Sequence, residues 1–322
     1  MGRLISEKYA AWQAECEARF QQLKKNEEEL NRIFIDIYGL QDELTPDVAD
    51  KDVTVHRVFD SKDDVPESMK GSNYVRTMRD EIVSLISCAV GCMFGRYSLD
   101  VEGLAYAGGE WDESRYKTFL PDEDNCIPVT DEEYFKDDIV GRFVEFVRTV
   151  YGSDTLEENL DFVANALAGK GSTSREVIRN YFLNDFIKDH IKTYQKRPIY
   201  WMFDSGKQNG FKALVYMHRW NADTTGNVRV EYLHRVQRVY ESEIARMQDT
   251  IDNSSNAREV SAAQKRKDKL TKQLKESKDY DVKIAHLALS RININLDDGV
   301  KLNYERVQTS SDGKRTEVLT RL

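Results

Sequence analysis

The chain has 322 residues, a formal net charge of −9 and 40% hydrophobic residues, enough to bury one large core or two smaller ones without disulfides or metals. Its four cysteines form no CxxC pair and no histidine stands at zinc-ligand spacing, so neither a disulfide framework nor a metal site is predicted. The longest nearly apolar run, 82–94, is shorter than the roughly 20 residues that span a bilayer, and the first residues lack the apolar core of a signal peptide. We therefore expect a cytoplasmic protein with no membrane role.

The first segment, 1–60, predicts a long helix followed by a short strand. Apolar residues recur near helical spacing from position 4 to 34, without glycine or proline. Residues 52–59 then alternate between apolar and polar side chains, which is typical of a strand.

The second segment, 61–225, predicts a helical core. Helices are expected at 74–94, 156–168 and 174–194. The glycine-rich and acidic stretch 96–128 is expected to form a long ordered loop, and such loops are commonly functional or mobile. Thr130 and Glu133 match the spacing of a capping box, which predicts a helix that runs from there to about Tyr151.

The end of this segment predicts a basic, aromatic β-hairpin at 196–220. The runs IYWMF and FKALVYM are β-branched and aromatic, and SGKQNG between them supplies the turn. Residues 171–240 hold 12 Lys and Arg against 6 Asp and Glu, although the chain as a whole is acidic. Basic side chains can follow phosphates and exposed rings can stack on bases. The candidate DNA-binding residues are Lys196, Arg197, Tyr200, Trp201, Lys207, Lys212 and Arg219; the alternative is a plain hairpin turn with a solvated lysine.

The third segment, 226–322, predicts a long helical hairpin and a tail. Two charged helical patterns, 228–251 and 260–292, are separated by DNSSNA, which favours an antiparallel pair. The tail NLDDGVKLNYERVQ is compatible with one more strand. The predicted fold class is therefore mainly α: a helical domain with a small β-hairpin and a long C-terminal antiparallel helical hairpin.

Familiar catalytic motifs do not assemble in this sequence. AGKGSTSREV suggests a phosphate loop, but Ala164 and Gly171 stand where that motif needs a glycine and a hydroxyl. There is no HExxH and no G-x-S-x-G. We assign no catalytic residue and no metal ligand.

Four stretches together resemble a known family: LNRIFIDIYGLQDELTP (30–46), AVGCMFGRYSLDVEGLAYAGG (89–109), the hairpin at 196–220, and DDGVKLNYERVQ (297–308). In this order they resemble the C-terminal, noncatalytic region of BREX-type, PglX-like adenine-specific DNA methyltransferases, akin to single-chain restriction–modification enzymes. The resemblance spans nearly the whole chain. It implies a phage-defence setting, with double-stranded DNA, a catalytic methyltransferase domain or subunit and other defence-system proteins as partners.

The resemblance also implies where catalysis lies. Such enzymes bind S-adenosylmethionine through a glycine-bearing motif and hold the flipped adenine against Asn-Pro-Pro-Tyr, whereas this sequence contains no Asn-Pro-Pro. We expect no cofactor in this chain, S-adenosylmethionine in a catalytic domain outside it, and no methylation by the chain alone. The expected function is DNA target recognition or DNA clamping. The alternative is a scaffold that docks other defence-system subunits and does not contact DNA, with Tyr200, Trp201 and Phe203 as core residues.

Overall fold

The structure is a computed structural model that describes residues 3–322. Helices dominate it and a small antiparallel sheet accompanies them, which confirms the predicted fold class. The α-helices are α1 (Ile5–Tyr38), α2 (Met78–Met93), α3 (Ile139–Tyr151), α4 (Leu156–Leu167), α5 (Ser174–Asn184), α6 (Phe186–Thr193), α7 (Thr224–Asn227), α8 (His234–Asn253), α9 (Ala257–Ser290) and α10 (Gly299–Arg306). The strands are β1 (Arg57–Phe59), β2 (Val75–Thr77), β3 (Ile127–Pro128), β4 (Tyr200–Asp204) and β5 (Lys212–Tyr216).

The chain divides into two compact units. Unit 1 comprises residues 1–86 and 150–168, and unit 2 comprises residues 87–149 and 169–322. Neither unit coincides with the predicted segments 1–60, 61–225 and 226–322. No helix within residues 3–322 is both long and apolar enough to cross a membrane.

Unit 1 is organised by α1, which is longer than the predicted helix. The backbone N–H of Ile5 at its first turn donates to Oδ1 of Asn159 at 2.7 Å, so a buried amide from α4 supplies the missing helix cap. The helix ends at Gly39, whose φ of +67° lies in the left-handed region that glycine adopts without strain. A residue distant in sequence therefore caps the start of α1, whereas its end is set locally by Gly39.

The strands of unit 1 correct two predicted boundaries. Only Arg57–Phe59 of the predicted strand 52–59 forms β1, and it pairs in parallel with β2. Because residues 75–77 belong to that pair, α2 begins at Met78 and not at position 74. The guanidinium of Arg57 bonds the carboxylate of Glu17 at 2.5 Å and lies 4.8 Å from the ring centre of Phe20, which ties β1 to α1.

In unit 2 the predicted capping box at Thr130 is wrong. The Thr130 hydroxyl donates to the backbone carbonyl of Glu132, and α3 begins only at Ile139. The cap is Asp138, whose Oδ1 accepts from the amides that follow it, 3.0 Å from the nitrogen of Val140. Both oxygens of Asp138 also receive the Arg179 guanidinium, at 2.7 and 2.8 Å. A partner 41 residues away thus fixes the start of this helix.

The sheet of unit 2 has the order β3-β5-β4, and the hairpin predicted at 196–220 is confirmed. The C-terminal residues lie along the outer side of β4: the amide of Asp204 donates to the carbonyl of Val318, and the amide of Thr320 donates to the carbonyl of Met202. The predicted helix 174–194 is two helices, α5 and α6, which meet at Asp185.

The long helical hairpin is also confirmed. A π-helical stretch at Val228–Leu233 leads into α8, and α8 packs along α9 in an antiparallel manner. The strand suggested for the tail is wrong, because that segment forms α10. The buried Asn303 anchors this helix, since its side-chain amide donates to the carbonyl of Gly299 one turn earlier, at 3.0 Å, and to that of Asn295.

Candidate nucleic-acid interface

The aromatic residues of the hairpin lie in the core of unit 2. Tyr200 is 1% exposed and Trp201 is 0% exposed. The Trp201 indole N–H donates to the carbonyl of Pro198 at 2.9 Å, and its ring packs against Trp220 and Tyr304 at centroid distances of 5.5 and 5.4 Å. The expectation that Tyr200 and Trp201 offer ring faces to DNA bases is therefore wrong, because both rings are covered by other side chains.

Lys212 is also an internal residue. It is 8% exposed, because β5 is the central strand and every one of its residues is buried. Its ammonium donates to the carbonyl of Leu183 at 2.8 Å and lies 3.5 Å from the carboxylate of Asp204. Since the amine is held by these two groups, the expected contact between Lys212 and a DNA phosphate is wrong.

Arg219 binds the long loop of residues 96–128. Its guanidinium donates to the carbonyl of Asp122 at 2.6 Å and to that of Glu123 at 3.0 Å, and it lies 4.4 Å from the ring centre of Trp111. Burial lowers the pKa of Arg219 from its usual value. Arg219, a candidate DNA-binding residue from the sequence, therefore closes a loop inside unit 2, and its guanidinium is held by groups of the protein.

The hairpin turn rests on α9 through Glu276. The Glu276 carboxylate accepts hydrogen bonds from the Ser205 hydroxyl at 2.7 Å and from the amides of Gln208 and Gly210 at 2.9 and 3.0 Å. A Cβ atom at Gly210 would lie 2.5 Å from the carbonyl oxygen of Gln273, so glycine is required by the approach to α9. The amides of Gln208 and Gly210 thus already bind a carboxylate, and the turn does not offer them to a phosphate.

Three of the predicted residues remain accessible. Lys196 and Arg197 are exposed after the end of α6, and Lys207 is exposed in the turn. Lys207 lies at the opposite end of β4 from the other two, about 17 Å away for five residues of strand. The structure therefore does not bring these three residues together.

One face of α9 carries exposed lysines outside the predicted hairpin, and Lys207 of the hairpin turn lies beside them. We define the lysine face as Lys207, Lys265, Lys269, Lys272 and Lys283, all exposed. The lysines at 265, 269 and 272 have the spacing of one helical face, and position 283 follows position 265 by five full turns. Glu276 lies on the same face and holds the turn, which places Lys207 beside the helix. The i, i+4, i+7 spacing of the lysines at 265, 269 and 272 is visible in the sequence and could have identified this face.

The lysines of this face are mostly unpaired. Lys269 bonds Asp131 at 2.6 Å, whereas Lys207, Lys265, Lys272 and Lys283 make no ion pair within the described part of the chain. The helix α9 has nine Lys and Arg against five Asp and Glu, including Asp268 and Asp279 near this face. A positive surface therefore projects from a chain of net negative charge.

A second charged feature of unit 2 is an acidic cavity of about 840 Å³. The Tyr232 hydroxyl lies 2.7 Å from a carboxylate oxygen of Asp137 and 2.9 Å from one of Asp124. Burial, together with the charge of Asp124, raises the pKa of the neighbouring Asp122 to about 8. No group of side chains in residues 3–322 is arranged to hold a metal ion. Lys117, Lys136 and Arg142 also line this cavity, so it carries charges of both signs, and none of its lining residues belongs to the lysine face.

Comparisons with known proteins identify similar sequences. No protein-family model matches the chain. Over 317 residues, 98% of the chain, it is 46% identical to the adenine-specific methyltransferase PglX of Lacticaseibacillus casei (strain Zhang), of which it covers 24%. Over 314 residues, 93% of the chain, it is 38% identical to the adenine-specific methyltransferase BrxX of Escherichia coli O9:H4 (strain HS), of which it covers 26%.

The chain therefore spans about a quarter of the length of the curated relatives that it matches. The match extends along nearly the whole chain, as the four stretches quoted from the sequence predicted. The resemblance is thus confirmed: this chain is similar, over almost all of its residues, to a portion of the adenine-specific methyltransferases PglX and BrxX.

Proposed function

We propose that the chain is a DNA-clamping region of an adenine-specific DNA methyltransferase in a phage-defence system. The relatives are named as adenine-specific methyltransferases, and a methyltransferase that extrudes a base must also hold the duplex. The observation that carries the proposal is the lysine face, which presents four unpaired ammonium groups, three of them on α9 and one on Lys207 in the hairpin turn. Lys196 and Arg197 remain further candidate contacts.

The geometry of the lysine face favours clamping over sequence recognition. From Lys265 to Lys283 the helix rises about 27 Å, which is the length of about eight base pairs. Lysine ammonium groups that approach phosphates displace condensed counterions and add affinity, but they do not read bases. The aromatic residues expected to contact bases, Tyr200 and Trp201, are buried. We therefore propose clamping as the role of this surface.

We place the chemistry of methyl transfer outside this chain. The sequence contains no Asn-Pro-Pro triplet, so we expect S-adenosylmethionine and the flipped adenine to bind in a catalytic methyltransferase domain or subunit. Titration calorimetry of the purified chain with S-adenosylmethionine should give no saturable heat. A micromolar, saturable binding isotherm would contradict the proposal that S-adenosylmethionine binds outside this chain.

The DNA contact is tested by site-specific cross-linking. A photoreactive amino acid at position 272 should cross-link to a duplex when irradiated, because this position lies in the middle of the lysine face. The same group at position 62, an exposed lysine of unit 1, serves as the control and should not cross-link. Equal yields at both positions, or no yield at position 272, would contradict the proposed interface.

A scaffold is the second candidate function. It is favoured by the burial of Tyr200, Trp201 and Phe203, since the scaffold hypothesis expected these residues in the core. In this case the helical hairpin of α8 and α9 docks other defence-system subunits and DNA does not touch it. A complete absence of duplex binding at low salt, where phosphate contacts are strongest, would favour the scaffold over the clamp.

A further inference from the structure

The C-terminal half of α1 in unit 1 exposes a stripe of large apolar side chains. We define the apolar stripe as Leu30, Ile33, Phe34, Ile37 and Tyr38, all exposed, with Ile37 at 68% and Tyr38 at 70%. Their spacing of i, i+3, i+4, i+7 and i+8 places them on one side of the helix. A contiguous apolar surface of this kind on a soluble protein marks an interaction site.

A different side of α1 already has its partner within unit 1. Lys24 bonds Asp50 at 2.7 Å, the Asn31 amide donates to the carbonyl of Pro46 at 3.1 Å, and Ile35 is buried. The segment after Gly39 therefore runs back along that side of the helix. On a helical projection Lys24, Asn31 and Ile35 lie roughly 100–140° from Leu30, so the returning segment leaves the apolar stripe uncovered.

The charges around the apolar stripe exclude nucleic acid as its partner. Residues 27–47 contain seven Asp and Glu but one basic residue, Arg32, which pairs with Glu29. An acidic rim repels phosphate and favours a protein surface whose own rim is basic. The lysine face and the apolar stripe therefore have opposite chemistry.

We infer that the apolar stripe docks on the catalytic portion of the methyltransferase, against an apolar groove or helix with Lys and Arg at its rim. The relatives are about four times as long as the segment that this chain matches, so they contain a large portion that supplies such a surface. Packing one helix face into an apolar groove through i, i+3, i+4 and i+7 anchors is a recurrent mode of recognition. The inference rests on the proposed methyltransferase context, but not on DNA binding.

The test uses a full-length enzyme in which this chain replaces the matching quarter of the Lacticaseibacillus casei PglX. Hydroxyl-radical footprinting should oxidise Phe34 and Tyr38 at least about fivefold more slowly in the full-length enzyme than in the isolated chain, because docking excludes solvent from them. Leu289, exposed by 81% on α9, should be oxidised at the same rate in both proteins. Equal rates for Phe34 and Tyr38 in the two proteins would overturn the inference.

A substitution on the apolar stripe provides the second arm. Ile37→Asp places a charge in the stripe and should restore fast oxidation of Phe34 in the full-length enzyme, whereas Leu289→Asp should not. Both variants should melt like the parent as isolated chains, since both positions are exposed. If Phe34 is instead protected in the isolated chain as its concentration rises, the occupant is a second copy of this chain and our assignment is wrong.

Because Ile37→Asp lies outside the lysine face, it should leave the duplex affinity of the isolated chain unchanged. Failure of the docking inference and failure of the DNA-clamp proposal are therefore separate results: one appears in footprinting of the full-length enzyme, the other in duplex binding by the isolated chain.

Discussion

The carboxylate of Glu276 on α9 accepts a hydrogen bond from the backbone amide of Gly210 at 3.0 Å, and this bond fixes the hairpin turn on the helix. The glycines of SGKQNG therefore serve a contact inside the protein and not a phosphate. The same contact places Lys207 beside the lysines of α9. The basic residue selected from the hairpin and the basic helix thus form one surface.

Removing Glu276 should loosen the turn. Glu276→Ala leaves the amides of Gln208 and Gly210 and the Ser205 hydroxyl without their shared acceptor, and we expect the free energy of unfolding to fall by about 1–3 kcal/mol. Urea denaturation measures this change, and hydrogen exchange should show faster exchange of both amides. Unchanged exchange at Gln208 and Gly210 would contradict the role assigned to Glu276.

Lys207 and Lys212 should behave differently although both belong to the hairpin. Lys207→Ala removes a solvated charge and should change the free energy of unfolding by less than about 0.5 kcal/mol. Lys212→Ala deprives the buried carbonyl of Leu183 of its ammonium donor and removes the ion pair with Asp204, at a cost of about 1–3 kcal/mol. Urea unfolding of the two variants compares them directly, and equal stabilities would refute the internal role of Lys212.

We expect Trp201 to contribute to the stability of the fold but not to the affinity for DNA. Trp201→Ala removes a fully buried ring and should lower the free energy of unfolding by about 3–5 kcal/mol. Leu289→Ala is the matched control, because Leu289 is an exposed apolar residue whose loss should be nearly neutral. At a temperature where the variant is still folded, its duplex affinity should equal that of the parent. A folded variant with parental stability and weakened DNA binding would show that the ring is a stacking platform after all.

Asp122 in the acidic cavity should make the free energy of unfolding depend on pH, and the substitution Asp122→Asn should remove this contribution. In the folded chain the pKa of Asp122 is raised to about 8, by burial first and then by Asp124, whereas an unfolded Asp titrates near 4. The neutral carboxyl therefore contributes stability that is fully present below about pH 4 and is lost as the pH rises through about 8. Asp122→Asn cannot ionise and should gain stability relative to the parent by up to about 1.4 kcal/mol per pH unit over this range.

Urea unfolding of both proteins at pH 5, 6.5 and 8 measures this difference. The buried His190, whose pKa is lowered to about 3, is common to both proteins, so its effect at low pH cancels in the comparison. A stability difference that does not grow with pH would show that Asp122 is ionised in the folded state.

Periodicity predicted most elements of the fold, but contacts distant in sequence set their boundaries. The hairpin and the pair of long helices follow from local patterns that the structure keeps. The start of α3 does not follow from the local pattern. Asp138 caps this helix in place of Thr130, and Arg179, 41 residues away, binds the Asp138 carboxylate. Likewise, α2 starts late because residues 75–77 pair with β1.

The candidate site was harder to predict, because only solvent-exposed basic side chains can contact DNA and the sequence does not show which of them are exposed. Lys212 begins an otherwise apolar strand, and both faces of β5 are covered in the structure, so this lysine is internal although neighbouring basic residues of the hairpin are exposed. Residues 318–320 hydrogen-bond to β4 and β3 pairs with β5, and neither pairing is visible in the local sequence pattern. The lysine spacing of α9 is readable in the sequence, but which side of the helix stays open depends on α8 and on the turn held by Glu276.

The most direct test of the DNA clamp is the salt dependence of duplex binding by the isolated chain. In fluorescence anisotropy, binding should weaken steeply with salt, and replacing Lys207, Lys265, Lys272 and Lys283 by Ala should reduce the log–log slope by up to about four units. The charge-matched control replaces Lys8, Lys25, Lys51 and Lys62, four exposed lysines of unit 1, and should keep the parental slope. Equal slopes for the parent and the lysine-face variant, or equal losses in both variants, would contradict the proposal that this face of α9 holds DNA.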